Sequence, residues 1–176
     1  MTEPTLPMSS AQQGMYFDSQ LRQSADYHIA IELYTERLSR SRLTQAVSAV
    51  VAEQPALRAS VARNESGPVY MIAESVEAPV RHHDLTGAEE NLDKIFHTAR
   101  HAPFQLNTAP LFRVVAARLP DGDRLLVVCH HLIADGQSVS ILTDRIIDLA
   151  RGTREITASR TDQGLFTHQN GQLSRP

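Results

Sequence analysis

Apolar positions along this chain change period several times, and each change marks an element. After a proline-punctuated, extended start over residues 1–8, Ser9 or Ser10 caps a short helix that runs to about Arg22 and carries Met15, Tyr16 and Leu21. From Tyr27 to Tyr34 the pattern alternates, with Tyr27, Ile29, Ile31 and Leu33 on one side and His28 and Glu32 on the other, which predicts a strand. Ser39 opens the clearest helix. Its stripe of Leu43, Ala46, Val47, Val50 and Val51 follows the helical period until Pro55 blocks continuation. Leu57–Ala62 and Val69–Ala73 predict a hairpin around residues 64–68.

In the second half, Thr86 and Glu89 have the spacing of a capping box for a helix bearing Leu92, Ile95, Phe96 and Ala99, which Pro103 ends. Leu111–Leu119 and Arg124–Cys129 predict a second hairpin over residues 120–123. A last helix follows Gly136, with Val139, Leu142, Ile146 and Leu149 on one stripe and Gly152 as its stop. Helices alternating with strands and hairpins predict an α/β (α+β) sandwich, a mixed sheet covered by helices, over residues 1–152. Residues 153–176 are polar and turn-rich and are expected to form a tail or a linker.

Composition narrows the function. A chain of 176 residues with 41% hydrophobic and 21% charged positions has the balance of one globular domain. A net charge of −3 without a basic stripe, and only 5% aromatics, argue against nucleic acid as a partner. No apolar run reaches membrane-spanning length, and Met1–Ser10 lacks the pattern of a signal peptide. The single Cys129, inside an apolar run, predicts a buried thiol and a reducing, cytoplasmic setting.

The chemistry concentrates at one place. His130 and His131 follow the strand Leu125–Cys129, and Asp135-Gly136 turns the chain soon after. Imidazoles at the exit of a buried strand must find hydrogen-bond partners. Consecutive strand residues point to opposite faces, so these two cannot readily share one ion, and no partner stands at zinc-site spacing; no metal is expected. Ser138 lacks a nucleophile elbow, which leaves general base catalysis. His131, where the loop begins, is the better base; Asp135 would hold the loop, with Arg58 as a candidate ion-pair partner. Gly136 would let a substrate approach the backbone, and the amides after it could steady an oxyanion. His82-His83-Asp84 is expected to be a solvated loop. His97, His101, Arg37, Arg40 and Arg42 are expected to be surface groups.

The string His130-His131-Leu132-Ile133-Ala134-Asp135-Gly136 resembles the HHxxxDG motif of condensation domains of non-ribosomal peptide synthetases, in the chloramphenicol-acetyltransferase-like superfamily. Ser10-Ala11-Gln12-Gln13 with Met15-Tyr16 resembles the family's opening SxAQxRMW motif, and Glu53–Arg58 its RHExLR motif. Pro103–Leu106 with Ala109–Arg113 is similar to its PFDL…PLLR stretch. The pattern departs at Gly14, Gln54, Pro55 and Gln137. The resemblance implies a chloramphenicol-acetyltransferase-like lobe, with two such lobes forming a tunnel. It implies amide formation between an acyl or peptidyl thioester, carried on the phosphopantetheine of a partner carrier protein, and an acceptor amine on a second carrier. His131 would deprotonate or position the amine, Asp135 would be structural and ion-paired, and Gly136 would lie beside the oxyanion. No cofactor would be bound by the chain itself. Only the N-terminal lobe's motifs occur, so a second condensation-domain lobe or a homodimer is expected to complete the site. A non-catalytic docking or regulatory lobe, or an ester-forming acyltransferase, are the other readings.

Overall fold

The computed structural model describes residues 5–22 and 24–153. Strand β1 (Thr5–Pro7) leads into helix α1 (Ser10–Arg22), then β2 (His28–Thr35), α2 (Arg40–Glu53), β3 (Ala59–Asn64) and β4 (Gly67–Ile72). There follow β5 (Val80–Asp84), α3 (Leu92–His101), β6 (Phe112–Leu119), β7 (Gly122–His130) and α4 (Gly136–Arg151). The expected tail lies outside the described residues from position 154 on.

The helix boundaries follow local chemistry. Ser9 and Gln12 form a reciprocal box at α1: the Ser9 amide donates to Gln12 Oε1 at 2.9 Å and the Gln12 amide to Ser9 Oγ at 3.3 Å. Ser39 caps α2, accepting from the Arg42 amide, and all five predicted stripe residues of α2 are buried. Gly152 ends α4 in the left-handed conformation, φ 76°, which glycine adopts without a Cβ penalty. The box expected from Thr86 and Glu89 does not form. Asp84 takes the Thr86 hydroxyl and amide, Glu89 reaches back to Gly87, and a 3-10 turn over Glu89–Asn91 precedes α3.

The strands form two sheets. The larger has the order β2-β7-β6-β5, antiparallel except for the parallel β5–β6 pair; the smaller is antiparallel, β1-β4-β3. The His82-His83-Asp84 stretch is thus the sheet's edge strand rather than a solvated loop. An edge strand tolerates exposed Arg81 and Asp84, so no apolar alternation betrays it. His82 turns inward, its Nε2 3.0 Å from Thr44 Oγ1. The Thr44 hydroxyl already donates to the Arg40 carbonyl, so the imidazole is the donor.

Side-chain alternation assigns the two faces of the large sheet. Ile29, Ile31 and Leu33 of β2, Leu125, Val127 and Cys129 of β7, and Phe112 and Val114 of β6 pack with the apolar stripes of α2 and α4. Leu126, Val128, Val115 and Ala117 point the other way, onto Phe96 of α3. β7 is therefore buried on both faces, and this explains its unbroken apolar run. At the far end of the β6–β7 hairpin, Asp123 accepts from Arg118 at 2.9 and 3.0 Å and from the Leu38 amide at 2.8 Å. That ties the turn to the entry of α2. Among the described residues no helix is long and apolar enough to cross a membrane.

Candidate active site

β7 delivers the two histidines, and the residues after them fix the loop. Leu132, Ile133 and Ala134 are all buried in the main core, so the loop turns inward at once. Tyr70 of β4 is fully buried and donates its hydroxyl to the Leu132 carbonyl at 2.5 Å. Backbone bonds hold both histidines: the His130 amide donates to Leu111 at 2.9 Å and the His131 amide to Tyr27 at 2.8 Å.

The rings have different fates. His130 is 2% exposed. Its Nδ1 accepts from the Leu132 amide at 3.1 Å, which leaves the ring proton on Nε2, 3.4 Å from Ser19 Oγ. Burial, with His28 and His131 nearby, pushes its pKa down to about 4. Both nitrogens are engaged and the ring is a poor proton acceptor. His131 is half-buried, and of its ring nitrogens only Nδ1 is shut away from solvent, without a hydrogen-bond partner.

A cleft of about 250 Å³ opens beside this strand end, between α1 and residues 103–107. Its lining includes Tyr16, Ser19, His28, Phe104, Asn107 and His130, but not His131. His28 donates from Nδ1 to the Arg100 carbonyl at 2.9 Å, so its buried Nε2 carries a lone pair that no group meets. Burial holds its pKa below the ordinary histidine value; the Arg100 carbonyl opposes that effect, and Arg113 and His101 reinforce it. Phe104 stands edge-on to His28 at 4.9 Å, with the Arg113 guanidinium 3.7 Å from its ring centre. Sequence reasoning gave His28, Ser19 and Phe104 no role in a cleft. The available signal was register, because His28 sits on the polar side of β2 and pairs directly with His130.

Asp135 and Arg58 are not brought together. Asp135 is exposed and caps α4, accepting from the Ser138 amide at 2.8 Å, and that bond lowers its pKa. Arg58 donates to the carbonyls of Val51, Ala73 and Glu74, locking the end of α2 to the loop that follows β4. The ion pair expected between them is therefore replaced by a helix cap and a backbone clamp. Gly136 begins α4, and a Cβ built there would meet nothing within 4 Å. The first amides of α4, at Gly136 and Gln137, have no carbonyl one turn back. Cys129 is wholly buried, and burial pushes its thiol up to about 12, so it is inert as a nucleophile.

A family model described as "Condensation domain" matches residues 2–161. The chain belongs to the condensation-domain family. It is 36% identical over 175 residues to surfactin synthase subunit 2 of Bacillus subtilis (strain 168), covering 96% of this chain and 5% of that protein. To tyrocidine synthase 2 of Brevibacillus parabrevis it is 34% identical over 157 residues, covering 88% of this chain and 4% of that one. Among solved structures, the first condensation domain of the calcium-dependent antibiotic synthetase, in complex with a substrate analogue, superposes with TM-score 0.79 at 21% identity, covering 97% of this chain and 44% of that one. The epimerization domain from the third module of tyrocidine synthetase B superposes with TM-score 0.77 at 21% identity, over 96% of this chain and 40% of that one. These likenesses establish the chloramphenicol-acetyltransferase-like fold. This condensation-family chain spans only about a twentieth of the curated relatives and under half of the solved domains it matches.

Proposed function

We propose that the chain is the N-terminal, histidine-bearing lobe of a synthetase condensation domain that joins a carrier-bound acyl or peptidyl thioester to an acceptor amine. The observation that carries this reading is the state of His131. Its backbone is pinned at the end of a doubly buried strand, yet neither ring nitrogen is used by the fold, whereas both of His130 are. In the proposed step the neutral His131 imidazole takes a proton from the amine as its nitrogen attacks the thioester carbon. The carbonyl oxygen becomes an oxyanion opposite the free amides of Gly136 and Gln137. The carbon–sulfur bond then breaks, and the leaving sulfur recovers the proton. Asp135 acts as a positioning residue by fixing the start of α4.

Because His131 lies outside the lining of the His130 cleft, its substrates reach it from the surface that a second lobe covers. That lobe, or a second copy of this chain, is the first partner; the carrier proteins for donor and acceptor are the others. The test is amide synthesis by the chain combined with a second lobe and loaded carrier proteins. His131→Ala should lower turnover by about 10²- to 10⁴-fold. Unchanged turnover would remove the assignment, and turnover with an alcohol in place of the amine would move the reaction to ester formation.

A further inference from the structure

Two histidines that the site does not use stand together at the end of α3. His97 and His101 are both exposed and one helical turn apart, with ring centroids 4.2 Å apart and planes inclined by only 31°. His101 donates from Nδ1 to the His97 carbonyl at 2.8 Å. A carbonyl only accepts, so the His101 proton is on Nδ1 and Nε2 presents a lone pair. This is the arrangement by which protein histidines are held for metal ligation, with the second nitrogen bonded to a backbone carbonyl. Two imidazoles one turn apart on a helix are also the donor pair of helical zinc sites. With metal–nitrogen bonds of about 2.0–2.1 Å, a shared ion needs nitrogens on the order of 3.3 Å apart, a separation compatible with ring centroids 4.2 Å apart.

The electrostatics agree. Both residues lie in the C-terminal part of α3, where the helix dipole favours a cation. The nearest basic neighbour on that turn, Arg100, is committed to Glu32 at 3.2 Å. Lys94, three residues before His97, is offset by Asp93, four residues before it. Among the described residues no third protein ligand joins the pair, so water would complete the coordination.

We infer that His97 and His101 form a two-histidine chelate for a divalent transition ion of the imidazole-preferring class, Cu²⁺, Ni²⁺ or Zn²⁺. The site stands apart from the catalytic reading of His131. It has a structural consequence for the cleft, because the last turn of α3 supplies the Arg100 carbonyl that anchors His28. An ion bound there stiffens that wall.

The experiment titrates Cu²⁺ into the full 176-residue chain. Electron paramagnetic resonance should show one equivalent bound through two imidazole nitrogens. His97→Gln and His101→Gln should each leave one nitrogen and weaken binding by at least about tenfold. His82→Gln, on the far side of the sheet's edge, should change neither. Zn²⁺ should raise the melting temperature of the wild type and of neither variant. Equal affinity in either variant, or a nitrogen count that does not fall, would overturn the site. Both rings are exposed, and equal melting temperatures without metal would show that the substitutions leave the fold intact.

Discussion

His28 and His130 face each other as register partners across the β2–β7 ladder, with ring centroids 5.8 Å apart and planes at 69°. Both are held neutral by burial, His130 at a pKa of about 4. Below the ordinary histidine value the unfolded chain therefore binds protons that the folded chain refuses. The stabilisation is complete above about pH 6.5 and is lost as pH falls from there toward 4. For His130 alone that interval corresponds to about 3 kcal/mol. Arg113 opposes protonation of His28 while Asp26 favours it, and the histidine neighbours of the pair add repulsion only when they carry a proton themselves. Urea unfolding at pH 7.5, 6 and 5 should show the decline, and His130→Leu should flatten it. A stability constant across that range would contradict the neutral buried pair. The capping and paired carboxylates, Asp135 and Asp123 among them, have lowered pKa values and lose their contribution only at more acid pH.

Asp135 offers a direct measurement of its role. As an exposed N-cap with one amide partner, its replacement by alanine should cost about 0.5–2 kcal/mol. Removal of one partner from a buried ion pair would cost about 3–5 kcal/mol. Chemical denaturation of Asp135→Ala separates the two, and a loss in the larger range would restore an ion pair.

Gly136 is not required by packing, since its Cβ position is open, and its φ is not in the left-handed region. Gly136→Ala should therefore leave stability equal or up to about 1 kcal/mol higher, through better helix propensity. The same methyl would stand where the proposed substrate carbonyl meets the backbone. Turnover in the reconstituted domain should fall by about tenfold or more. Activity equal to wild type would mean that substrate does not approach this amide.

Tyr70→Phe removes the hydroxyl that holds the Leu132 carbonyl inside the core. The expected cost is about 1–3 kcal/mol. Hydrogen exchange at the amides of Leu132 and Ile133 should quicken more than in the β6–β7 strands. Uniform quickening would instead indicate a general loss of stability.

Much of this architecture could be read from the chain because it rests on local signals. Ser39, Pro55 and Gly152 bound their helices as their chemistry dictates, and the stripe of α2 is buried residue for residue. The alternation of β2 correctly sent Ile29, Ile31 and Leu33 to the core. What escaped was whatever depends on distant partners. β5 is a strand only because β6 lies beside it, and all its residues but Val80 are polar. The first hairpin joins β1 in a separate sheet, which no local pattern announces. At the site, the position of both histidines at the end of a buried strand was legible, but the burial of His130 and its separation from His131 were not. Nor was Arg58 legible, because a guanidinium that binds three carbonyls has the same letter as one that binds a carboxylate.

The double burial of β7 makes its length an adjustable setting. Neighbouring side chains on that strand look in opposite directions, so inserting or deleting one residue before position 130 would exchange the outlooks of the two imidazoles. The ring now clasped by Leu132 and Ser19 would be turned outward, and its uncommitted neighbour would be walled in. Homologous lobes are thus expected to hold constant the count of residues from Asp123, which fastens the hairpin to the entry of α2, to the first imidazole.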